Sequence, residues 1–280
     1  MRPLVLLLAA VALAGCAPRL AGEPVPRVRD VVVGSARFRI LHGPEDARAA
    51  AQVARALEAA LPRLERWGGL AAPVTVAIHP DHAHLERAVR REGYSWLRAW
   101  ARYGRIDLQS PRTWRLLGAS DADVAELVTH ELAHCVMYQR AGDEHSWPFR
   151  GEPLWFREGL ASVTAEQAYR RGTLEQLRRN WAAQRDADAA FPPAGEDGGA
   201  AAGDPIANPE PLYRRHADLV YDAAHHAFAY LLERHGEARV RRVIALMGSG
   251  RGFARAFEEA IGTGEPVFAA EFRRHVLGED

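Results

Sequence analysis

Residues 128 to 137 read VTHELAHCVM, with His130 and His134 four apart and Glu131 directly after the first histidine. On an α-helix, positions four apart are offset by about 40° and one turn, so the two imidazoles would project side by side. Two nitrogen ligands of one tetrahedral metal ion need that arrangement. Glu131 falls near the same face, where it can take a proton from a metal-activated water without binding the metal itself. Cys135 follows His134 and lies about 100° further round the axis. It is expected to face away from the metal as a buried apolar thiol. Two ligands do not make a stable site, so the chain must supply a third.

The segment Trp155-Phe156-Arg157-Glu158-Gly159-Leu160-Ala161 offers one. Glu158, near the start of a second helix, would complete a His2Glu set and leave a fourth position for water. His145, in the intervening loop AGDEHSWPFRGEP, is the competing third ligand. The metzincin arrangement is excluded, because Met137 and Arg140 stand where it needs a glycine and a histidine. A further histidine-rich stretch, HPDHAH with His79, His82 and His84, follows a strand end and a proline turn. It is expected to be a solvated loop rather than a second metal site.

HELAH together with PLWFREGLA resembles the gluzincin metallopeptidases, and more closely the peptidase MA-like domains of bacterial exported proteins. The likeness spans roughly residues 70 to 277 and includes the strand YGRIDLQ and the late helix LVYDAAHHAFAYLLERHG. It implies zinc bound by His130, His134 and Glu158, with Glu131 as general base and acid on a peptide or protein substrate. It also implies that Tyr221 on the late helix stabilises the oxyanion, with His225 one turn on as a weaker candidate. One position departs from the pattern. Where thermolysin-like members carry an aspartate four residues after the third ligand, this chain has Ser162, so the outer support of the zinc histidines must differ. Two rival readings share these residues: a non-catalytic binding module on the same fold, and a zinc hydrolase of non-peptide amides or esters.

The elements that position these side chains follow from periodicity. Arg37 to Leu41 and PVTVAIH (73–79) read as strands, and residues 45–66 as a helix closed by Gly68 and Gly69. YGRIDLQ (103–109) alternates and is expected to be an edge strand able to pair with substrate backbone. From Ser120, which forms a capping-box pattern with Asp123, the chain reads as helical. Gly142 is expected to cap the first of these helices and Pro153 to open the next, which runs to about Tyr169. Another helix follows Thr173, one runs from Tyr213 to Arg234, and three shorter ones reach Leu277. The Pro/Gly/Ala-rich stretch 191–211 is expected to be a loop. The fold class is therefore α+β: a small mixed sheet (31–118) followed by a mainly helical half (119–280), zincin-like, in one domain over 31–280.

Arg2 and the apolar run 4–14 fit a signal peptide over 1–15, too short to span a bilayer. The run ends in Leu13-Ala14-Gly15-Cys16, which resembles a bacterial lipobox and implies acylation of Cys16. Residues 16–30 then read as a proline-containing tether. The expected location is the cell envelope, membrane-anchored through lipid; Ala17 favours an outer membrane facing the periplasm where the host has two membranes. Cys135 is the only other cysteine, so with Cys16 acylated no intrachain disulfide can form. The 36 basic residues, all arginine, balance 36 acidic ones, which leaves no electrostatic footprint for nucleic acid.

Overall fold

The structure, a computed structural model, describes residues 26–190, 203–213 and 215–279. Cys16, the apolar run before it, and most of the stretch read as a tether lie outside the described residues, as do residues 191–202 of the expected loop.

Five strands form one mixed sheet: β1 (Arg27–Val33), β2 (Ala36–His42), β3 (Val74–His79), β4 (Ala99–Arg102) and β5 (Arg105–Gln109), in the order β1-β2-β3-β5-β4. β2, β3 and β5 run parallel, and β1 and β4 are antiparallel edges. The expectation for YGRIDLQ is overturned here. β5 is paired on both sides, with β3 and with β4, and the edge is the short strand AWAR before it. The alternation of Ile106 and Leu108 with polar residues had suggested a solvated face. Instead Asp107 and Gln109 are buried, because His79, Arg102 and Arg105 neutralise the aspartate and Thr113 binds the glutamine. Residues 27–30, expected to belong to the tether, form the start of β1 instead.

Ten helices complete the described chain. α1 (Ala47–Leu64) and α2 (His82–Val89) lie within the sheet half. α2 replaces the loop expected for HPDHAH: Asp81 caps it by accepting from the His84 amide at 2.9 Å. α3 (Asp121–Ala141) carries the motif. Its capping box is formed, with Ser120 Oγ accepting from the Asp123 amide and Asp123 Oδ2 from the Ser120 amide, both at 3.1 Å. Gly142 ends it in an extended conformation rather than a left-handed one. α4 (Leu154–Thr164) starts after Pro153 and stops short of Tyr169. Then come α5 (Leu174–Ala190), α6 (Glu210–Tyr213), α7 (Ala217–His235), α8 (Glu237–Gly248), α9 (Phe253–Ile261) and α10 (Glu265–Leu277). The late helix is thus broken, with Tyr213 on α6 and Tyr221 on α7. Residues 204–208, expected as loop, close a small bridge between Asp204 and Asn208.

α3 is buried nearly all round over its last three turns, packed between α1, the sheet, α4 and α8. A helix so placed is hydrophobic on every face except where its polar residues meet a site. His130, Glu131 and His134 are those residues, each under 8% exposed. Buried charge of this kind needs partners, and α4 supplies them.

Candidate metal centre and cleft

Glu158 reaches the site because α4 is planted firmly. Trp155 and Phe156 are fully buried; the Trp155 indole stacks on Phe268 and donates to Glu265 at 2.9 Å. Gly159 lets α4 lie against α7: a Cβ there would collide with the Ala224 carbonyl and with Phe228. The glutamate and the following glycine are therefore one device, in which the glycine brings together the helices that carry Glu158 and Tyr221.

The structure brings together His130, His134 and Glu158, with one ligand atom of each within 4.8 Å of the others. His130 Nε2 and His134 Nε2 stand 3.4 and 3.5 Å from the same oxygen, Glu158 Oε2. Ligand bonds of about 2.0–2.2 Å meeting at a tetrahedral angle separate ligand atoms by about 3.4 Å. The two nitrogen–oxygen separations match that spacing, so the three side chains fit a zinc ion. His145 is 95% exposed and lies beside Asp143; it takes no part.

Charge around the triad is tightly arranged. Burial opposes ionisation of Glu158, yet His134, His130 and Arg157 hold its carboxyl well below the usual range. Arg157 Nε lies 3.5 Å from Glu158 Oε1, leaving Oε2 to the histidines. Burial disfavours the charged form of His130, but its bond to Glu158 and the fields of Glu131 and Glu158 raise its pKa. Burial pushes the Glu131 carboxyl up, against the pull of both histidines and of the Ala101 amide on β4. A buried carboxylate held above its ordinary value suits a base working near neutral pH.

Sequence reasoning missed the group that orients His130. Gln167 Oε1 accepts from its Nδ1 at 3.0 Å, and Gln167 Nε2 donates to Glu126 at 2.9 Å. This leaves Nε2 as the free nitrogen aimed at the metal position. Gln167 sits in a short 3-10 turn after α4, and no spacing rule pointed to it. Ser162, at the position where thermolysin-like members carry an aspartate, meets His225 Nδ1 at 2.9 Å. Burial pushes the His225 pKa down to about 4, so His225 is a neutral packing partner and does not line the cleft. His134 Nδ1 is buried with no partner among the described residues. Cys135 faces away, its Sγ against the Arg102 carbonyl at 3.2 Å, and burial raises its thiol pKa well above normal.

Tyr221 lines the same cleft as the triad and Glu131, a space of about 1350 Å³. Its hydroxyl pairs with that of Tyr213 at 2.9 Å, and the rings of Trp96 and Tyr213 pack around it. Burial, then the nearby Glu158, pushes its pKa well above normal, so it remains a proton-bearing donor. Tyr213 and Trp96 were not foreseen, because the first lies on α6 and the second in an irregular segment. Edge strand β4 forms one wall through Ala99, Trp100 and Ala101.

No family model matches the chain, and no curated protein matches it. Among solved structures, an M1 zinc metallopeptidase from Deinococcus radiodurans is 14% identical with a TM-score of 0.40, covering 91% of this chain and 52% of its own. A two-domain M1 zinc metallopeptidase mutant bound to L-arginine is 13% identical with a TM-score of 0.42, covering 90% and 51%. An aminopeptidase N family protein from Idiomarina loihiensis is 12% identical with a TM-score of 0.43, covering 86% and 42%. The chain spans about half the length of these proteins. At such scores the likeness carries no weight by itself, and the chemistry rests on the triad and its surroundings in this chain.

Proposed function

We propose that the chain is a zinc-dependent metallopeptidase of gluzincin type, of the peptidase MA-like kind, exported and lipid-anchored in the cell envelope through Cys16. One observation carries the catalytic part: a buried His2Glu triad sized for zinc lies beside a buried carboxylate, Glu131, in an open cleft. A purely structural site has no use for that fourth group.

A zinc ion held by His130, His134 and Glu158 would polarise the scissile carbonyl and lower the pKa of the attacking water. Glu131 is placed to serve as the base that would take a proton from the attacking water and return it to the leaving amine. Tyr221, kept protonated, donates to the oxyanion. Gln167 and Arg157 hold His130 and Glu158 in place. β4, the edge strand along the cleft, is placed to pair with the substrate backbone by strand addition, the role that β5 cannot take.

Glu131→Gln keeps the side-chain volume and removes the base. It is expected to retain zinc and thermal stability while losing hydrolysis of an unbiased peptide library by about 10²–10⁴-fold. Undiminished cleavage in the variant would end the mechanism. A wild type that cleaves nothing and matches the variant in every assay favours the binding-module reading.

A further inference from the structure

Beyond catalysis, we propose that loop 110–120 is a membrane-docking wedge, in which Leu116 and Leu117 enter the surface of the bilayer that holds the tether. The proposal rests on the lipid-anchor reading above for which surface is met, and on the loop itself for how.

Leu116 and Leu117 are 100% and 97% exposed, the most exposed large apolar side chains among the described residues. A flexible tip would fold them back, but this loop is tied at its base. Ser110 donates through its amide to the His79 carbonyl at 2.7 Å and through its hydroxyl to Asp46 at 2.6 Å. The Trp114 indole donates to the Gln109 carbonyl at 2.9 Å, and the Ala119 amide to the Pro111 carbonyl at 2.8 Å. The tip is a turn closed by the Gly118 amide on the Arg115 carbonyl at 3.0 Å, with Gly118 at φ +79°. Two leucines are therefore held in water on a hydrogen-bonded frame. Such presentation marks an interaction surface.

Strand register says which way the tip faces. Arg27, the first residue of β1, pairs with His42, the last of β2. β2, β3 and β5 are parallel, so His42, His79 and Gln109 all end at that same end of the sheet. Loop 110–120 leaves from there, and its Arg112 binds Asp46, just beyond His42. The tether and the leucine tip thus share one end of the sheet. Ten residues lie between Cys16 and Arg27, a reach of at most about 40 Å. An acylated Cys16 would hold that end close to the bilayer. Arg115 flanks the tip, paired with Asp123 yet still largely open to water, and suits the headgroup region. Trp114 and Arg115 also line the cleft, so docking would hold the cleft mouth near the membrane surface and favour substrate segments lying next to the bilayer.

The test uses the full chain carrying Leu116→Cys or Leu117→Cys, spin-labelled and reconstituted into vesicles of phosphatidylethanolamine and phosphatidylglycerol. Cys135 is buried and does not label; Cys16 is blocked when acylated, and Cys16→Ser replaces it in the chain tested without an acyl group. Val267→Cys serves as control, because Val267 is 52% exposed on α10, which packs mainly on α5, α7 and α9. Collision of the two tip labels with a water-soluble nickel chelate is expected to fall roughly tenfold relative to the control, with oxygen collision rising, as for side chains at interfacial depth. Adding Leu116→Asp to the labelled Leu117→Cys chain is expected to keep its Tm and to return the label to the reach of the chelate. Tip labels as open to the chelate as Val267, on a chain that floats with the vesicles, would overturn the proposal and leave the anchor intact. A chain without an acyl group that still floats with its tip immersed would keep the wedge and remove the anchor. A chain that does not float loses both.

Discussion

Two histidine-rich regions of this chain have opposite fates. In the first, each histidine meets its own carboxylate: His79 with Asp107 at 2.9 Å, His82 with Glu86 at 3.3 Å and His84 with Asp81 at 2.7 Å. All three are partly open to water, and their nitrogens point to separate partners. In the second, His130 and His134 share one carboxylate oxygen, and all three groups are buried. The number of histidines is greater in the first region, yet only the second forms a focus. Convergence of lone pairs on one buried point beside a cleft separates a candidate metal centre from histidines that each face a different carboxylate.

The comparison sharpens most at Tyr221, which belongs to the second region although it is remote in sequence. Tyr221→Phe is expected to keep zinc and lower kcat about 10²–10³-fold if its hydroxyl serves the oxyanion; an unchanged kcat would reduce it to a wall of the cleft. Gln167→Ala frees His130 Nδ1, and zinc affinity measured by competition with a chelator should weaken about 10- to 100-fold. The smallest effect concerns the first region. Burial favours the neutral acid of Asp107, but bonds from His79 and Arg105 hold its carboxyl well below the usual range, from an ordinary value of 3.8. A depressed carboxylate contributes stability that is complete above the unfolded pKa and declines as pH falls through the folded one. Asp107→Asn should cost about 1.5 kcal/mol at neutral pH, since its arginine partners are partly exposed. In urea melts that gap should close as the pH drops below about 4, while zinc content stays unchanged throughout.

Much of the second region was readable from local rules. A four-residue spacing fixes the face of a helix, and the capping box at Ser120 and Asp123 fixes where that helix starts. Glu158 was readable from its run of neighbours, and Gly159 now gives that run a physical reason in the contact between α4 and α7. The parts that were not readable depend on tertiary placement. Gln167 meets His130 only because the chain turns back after Thr164, and Tyr213 meets Tyr221 across a break between two helices. The edge strand was misplaced by one hairpin: alternation in YGRIDLQ looked like a solvated face, whereas its buried Asp107 is neutralised by Arg102 and Arg105. AWAR was too short to register as a strand, and shortness is a common trait of edges.

The most direct measurement is zinc content of the purified full chain by elemental analysis. The account predicts about one zinc per chain, most of it lost in Glu158→Ala and kept both in His145→Ala and in the combined His79→Ala, His82→Ala, His84→Ala variant. Zinc that survives Glu158→Ala but disappears from either of the other two would contradict it.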